Sequence, residues 1–195
     1  MVAGVYRGGM TVDLTAWRTA FAETLRPRLA AALDTLASAV PAADIVGLGV
    51  YSDSDAGSII PAVNTRAHRD ELVLGDPDWA EDYTWSIGEW DRTPFDHPEA
   101  TQLDALSDEL ERVGREARDE DGQAGLEAFR RAAWSAVADA MAQLFEAGWF
   151  DRWPDAVQVF IPADGVVAET QLADWNERCN TVQDAARFRA WVVVD

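Results

Sequence analysis

An α+β fold is predicted, with a mainly antiparallel sheet of about four to five strands packed by several helices in a single domain. Three observations predict it. Apolar residues recur at three- and four-residue steps near the N-terminus and again through the middle of the chain, which marks amphipathic helices. Short β-branched runs bounded by Gly, Pro or Asp-Ser turns mark strands. The order helix, hairpin, strand, helices, strand, helix does not alternate as a doubly wound fold does, so helices packed on an antiparallel sheet are expected.

Residues 1–10 are expected to form a flexible extension ahead of a domain over 11–195. The first helix spans 13–40, where Leu14, Trp17, Phe21, Leu25, Leu29, Leu33, Leu36 and Val40 form one stripe. Thr11 or Asp13 can cap its start. Pro27 lacks an N–H and predicts a kink or restart, and Pro41 ends the run. Asp44 to Tyr51 and Ser58 to Val63 read as a hairpin joined by the polar turn 52–57, with Pro61 suited to an edge position or a bulge. Thr65 can cap a short helix through Leu72 or Leu74.

Tyr83 to Trp90 reads as a third strand, because Tyr83, Trp85 and Ile87 alternate onto one face. Leu103, Leu106, Leu110 and Val113 mark one helix, and Leu126, Phe129, Ala133, Val137, Met141 and Leu144 a second. The acidic segment 118–122 is an exposed loop between them. Gly148 suits the C-terminal cap of the second helix. Val157 to Ile161 reads as a fourth strand, and Asp164-Gly165 as a turn. Leu172, Trp175 and Cys179 suggest a short helix. Thr181 to Asp184 opens a last helix or leads into a final strand around Trp191 to Val194.

Composition bounds the function. The 195 residues are 48% hydrophobic and 26% charged, ordinary for a globular domain that needs no metal or disulfide staple. No apolar run approaches the ~18 residues of a membrane span, and the start lacks the apolar stretch of a signal peptide. A cytoplasmic location is expected. Cys179 is the sole cysteine and reads as a packing thiol. Thirty-five acids against 16 bases, all arginine, give a net charge of −19. Such a surface repels phosphate backbones and anionic lipid, so neither nucleic acid nor membrane is an expected partner. It steers basic proteins toward itself.

The sequence carries no catalytic signature. His68 and His97 lie far apart, without metal-ligand spacing. Asp53-Ser54-Asp55-Ala56-Gly57 opens like a calcium loop, but the sixth and twelfth places hold Ser58 and Asn64 instead of Gly and Glu. Gly-x-Ser-x-Gly is missing, Gly47-Leu48-Gly49 is a fragment of a dinucleotide fingerprint inside a strand, and the lysine of a phosphate-binding loop is missing. No catalytic, cofactor-binding or metal-binding residue is therefore assigned. Carboxylates remain. Asp82, Glu89, Asp91 and Asp96 border the aromatic segment, and an acid beside an indole can act as a general acid or base. Of nine tryptophans, Trp17, Trp134 and Trp175 lie on helical stripes, whereas Trp79, Trp149 and Trp153 fall in or near loops. Loop tryptophans are candidates for an interface or for pinning loops to the body.

The segment Tyr83-Thr84-Trp85-Ser86-Ile87-Gly88-Glu89-Trp90 resembles an uncharacterised bacterial family, domain of unknown function 4303. So does its frame. A helix precedes a strand like Ile45 to Tyr51, an acidic turn, a strand ending in Val63-Asn64-Thr65, and the Trp-rich piece. Two helices and a strand like Val157 to Ile161 follow. The resemblance extends from about residue 11 over nearly the whole chain and implies no activity. Small acidic proteins of this kind are similar to immunity proteins. The expected function is an acidic protein-binding module, immunity- or antitoxin-like, with Trp79, Glu89, Trp90 and Asp91 as the candidate interaction surface and a basic protein as partner. The alternative is a small hydrolase using carboxylates near Trp85–Trp90.

Overall fold

The first apolar stripe forms helix α1 (Leu14–Ala37), capped by Asp13, whose Oδ1 accepts from the N–H groups of Thr15 and Ala16 at 3.0 and 3.1 Å. The helix continues through Pro27, where residues 26–28 are exposed to water. The computed structural model describes residues 12–163 and 165–193. The extension expected over 1–10, the Thr11 cap, Asp164 of the expected turn and Val194 lie outside them.

Strands β1 (Ile45–Ser52) and β2 (Ile60–Thr65) pair antiparallel as the expected hairpin. A third strand, β3 (Val157–Pro162), pairs with the other side of β1 in parallel, giving the order β2-β1-β3. The described sheet thus has three strands instead of four to five. It is mixed instead of mainly antiparallel, because β3 returns only after a long helical excursion from β2. Helix α2 (Arg66–Gly75) starts at Thr65, whose Oγ1 accepts from the His68 N–H. The expected strand over 83–90 is instead helix α3 (Ala80–Trp85) and a 3₁₀ turn at Ile87–Glu89. The short apolar run fits either period, and burial of Trp85 and Ile87 from a helix and a turn satisfies it equally well.

The two helices of the middle form α4 (Asp104–Glu146), broken at Gly122 by φ 61° and ψ −132°. A Cβ on Gly114 would lie 2.9 Å from the Phe129 ring, and one on Gly125 would strike the Ala117 carbonyl. Residues 15 positions apart in one straight helix would be separated by about 22 Å, so the two arms fold back on each other. Helices α5 (Glu169–Glu177) and α6 (Val182–Val192) close the described chain. The alternative of a final strand around Trp191 gives way to α6, capped by Thr181.

Helices cover both faces of the sheet. Leu48, Val50, Val63 and Phe160 face α1 and α4, whose Phe21, Leu25, Leu29, Phe129 and Trp134 complete the larger core. A register shift between Ile45 and Gly47 brings Ile45 onto the same side. Ala62, Val157 and Val159 face the other way, onto Trp85, Ile87, Trp90 and Phe188. Gly47 and Gly49 supply the clearance there, since a Cβ on either would meet the Trp90 ring at 2.8–2.9 Å.

Both sheet edges are closed. On β3, Asn180 accepts from the Gln158 N–H at 2.9 Å and donates to the Gln158 carbonyl at 2.5 Å. Asn176 does the same for Phe160 at 2.8 and 2.9 Å. Four residues along a helical path match two along a strand, so two amides stand in for a fourth strand. On β2, Val63 exchanges backbone hydrogen bonds with Arg92, Pro61 has no N–H to leave open, and the Thr65 N–H donates to Asp91.

Candidate functional site

Tyr51 lies near the carboxyl end of β1, and Ile161 and Pro162 at that of β3. Because these strands are parallel, both ends open on the same side of the sheet. They border an open cleft of about 1110 Å³. One wall is Asp76, Trp79, Asp82, Tyr83 and residues 86–89. Opposite in sequence are the approach to α5, with Val167, Ala168, Glu169 and Thr170, and the end of α6, with Trp191 and Val192. Parallel strands flanked by helices on both faces commonly hold ligands at this end.

Hydrogen bonds fix the first wall. Asn64, buried on β2, donates its Nδ2 to the Tyr83 carbonyl at 2.9 Å. His68 Nε2 lies 2.8 Å from the Glu89 carbonyl and ties the 3₁₀ turn to α2. Trp191 Nε1 donates to Asp82 at 3.3 Å, joining α6 to α3 beside the cleft. Behind them Glu81 accepts from Trp85 Nε1 at 2.7 Å and pairs with Arg187, whose guanidinium lies 5.4 Å over the Trp85 ring.

Four carboxylates (Asp76, Asp82, Glu89 and Glu169) and four aromatic rings (Tyr51, Trp79, Tyr83 and Trp191) line the cleft. Among the described lining residues there is no Arg or His. Partial desolvation raises the Tyr83 phenol above its ordinary range, and the carboxylates of Asp76, Glu89 and Asp82 add to the effect. Tyr83 therefore remains a neutral hydroxyl through the physiological range. No group of three or more metal-ligating side chains occurs among the described residues.

The residues singled out from sequence part company here. Trp79 is 55% exposed, and both it and Glu89 line the cleft. Trp90 is buried against Gly47 and Gly49, and Asp91 accepts from the Thr65 N–H and Oγ1 at 2.9 and 2.8 Å. Asp96 accepts from Thr93 Oγ1 within its own loop. The other loop tryptophans pin their loop: Arg152 stacks 4.4 and 4.2 Å from the Trp149 and Trp153 ring centroids while pairing with Asp34 on α1. Tyr51, Asp76, Glu169 and Trp191 were not singled out from sequence. Each comes from a different element, and no spacing links them.

The model of the family described as Domain of unknown function (DUF4303) matches residues 25–181. The chain belongs to this family. The match begins inside α1 and ends at the cap of α6, so within DUF4303 it takes in the whole sheet and most of the cleft, while Trp191 lies beyond it. Neither curated proteins nor solved structures gave a match to the chain. No described helix is long and apolar enough to cross a membrane.

Proposed function

We propose that this DUF4303 chain is a cytoplasmic, acidic protein-binding module of immunity- or antitoxin-like type, and that its cleft receives a basic protein partner. The observation that carries the reading is the lining: carboxylates and aromatic rings together, without a cation among the described lining residues to neutralise them. Aromatic rings supply contact area at low entropy cost, and the acids supply charge complementarity and steering. The net charge of −19 extends the same field over the molecule and works against nucleic acid or anionic membrane as a partner. The closed sheet edges leave strand addition without a template, which favours the cleft as the docking surface.

Affinity capture from the native source, with the chain and its Glu89→Arg/Glu169→Arg variant, tests this. The expected result is a basic protein held by the unaltered chain at low salt, released at high salt and not held by the variant. Equal capture by both chains, or no specific protein at either salt concentration, sinks the reading.

A hydrolase reading keeps one observation in its favour. Asp82 and Glu89 share the cleft at the strand ends where open sheets place their ligands. Turnover of an ester or glycoside panel that disappears in Glu89→Gln would favour it.

A further inference from the structure

The molecule shows how it holds its own arginines. Arg152 lies over two adjoining indoles, at 4.4 and 4.2 Å, with a carboxylate 2.8 Å from its Nη2. Arg187 lies over the Trp85 ring at 5.4 Å and pairs with Glu81 at 3.2 Å. Each site is an indole face plus an acid closed by a guanidinium. The cleft repeats the indole and the acid and lacks a guanidinium among its described residues.

Trp79 supplies the free face. It is 55% exposed, whereas Trp85, Trp90, Trp134, Trp153 and Trp175 are buried. Apolar side chains border the acids in the same cleft: Ile87, Ile161, Val167 and Leu172 are among its lining residues. An isolated metal ion or small amine would leave this apolar border uncovered. A polypeptide segment covers it while presenting a cation.

We propose that the cleft recognises an arginine side chain on the basic partner, with the Trp79 indole as its stacking face and Glu89 as its ion partner. The inference rests on the cleft being the partner's docking site and adds the residue type recognised. A guanidinium is planar, weakly hydrated and able to stack while it pairs with a carboxylate. A lysine ammonium is a strongly hydrated point charge and forfeits the stacking.

The test is calorimetric titration of the full chain with two peptides of equal length and charge, one carrying arginines and the other lysines at the same positions. The arginine peptide is expected to bind roughly tenfold tighter, the scale of a stacked ring. Trp79→Ala should erase that difference with an unchanged circular dichroism spectrum. Glu89→Gln should weaken both peptides, and Glu120→Gln, on the distant bend of α4, neither. Equal affinity for the two peptides, with both weakened by Glu89→Gln, overturns arginine recognition and leaves the acidic docking site standing. An arginine preference that survives Trp79→Ala also overturns it. Binding of neither peptide at low salt overturns the docking reading itself.

Discussion

Asn176 and Asn180 show how much a single side chain decides in this fold. Each amide satisfies both the N–H and the C=O of a β3 residue from a buried position. Replacing Asn176 with Ala leaves two buried backbone groups unpaired and is expected to lower unfolding stability by about 2–4 kcal/mol in urea titrations. Asp91 does comparable work on β2, where its carboxylate takes two hydrogen bonds from Thr65. Asp91→Ala should cost about 2 kcal/mol without changing affinity for a cleft ligand, which separates its structural role from the binding role proposed for Glu89. Cys179 lies between the two asparagines in space and sequence. Burial pushes its thiol from the ordinary 9.0 to about 12. A thiol whose folded pKa is raised contributes stability that is complete below the unfolded value and is lost as pH rises toward the folded one. Stability should therefore fall above pH 9, by about 1.4 kcal/mol per unit. Cys179→Ala should flatten that decline in paired denaturation curves at pH 8 and 10.

At the scale of elements, glycine positions tell the loops from the packing sites. Gly122 alone breaks α4, at φ 61° and ψ −132°, where a side chain is strained. Gly122→Ala is expected to cost about 1–3 kcal/mol and to be read directly from the thermal midpoint. The periodic stripes made α1 and both arms of α4 legible, because a 3.6-residue pattern sustained over many turns has one good solution. The hairpin and β3 were legible as short β-branched runs bounded by turn residues, and Pro61 does sit on an edge strand. The segment 83–90 was not. Eight residues fit a strand or a helix followed by a 3₁₀ turn, and the choice was made by the room that Gly47 and Gly49 leave for the Trp90 ring.

The whole molecule carries a large excess of negative charge. With a net charge of −19, self-repulsion opposes the compact state, so added sodium chloride should raise the thermal midpoint while it weakens binding of a basic peptide. Opposite responses of stability and affinity to one salt titration distinguish field effects from local ones. The cleft belongs to this scale too. It is assembled from the ends of β1 and β3, the α3 wall, the approach to α5 and the end of α6. Trp79 and Glu89 were visible in sequence as a tryptophan in or near a loop and an acid bordering the aromatic segment. Tyr51, Glu169 and Trp191 were not, because the parallel pairing of β1 with β3 is what brings segments more than 100 residues apart to one opening.

Residue order alone was enough to place the amphipathic helices, the hairpin, the turn chemistry of Asp53 and Thr65, the negative field and the family resemblance. All of these are local patterns or sums over residues. Long-range packing settled that the described sheet has three strands in mixed order, that two asparagines close one edge, and that Trp90 fills the core while Trp79 lines a cleft. Those outcomes depend on which distant segments pair and on how much space a neighbour leaves. Neither quantity is encoded in the spacing of residues along one chain.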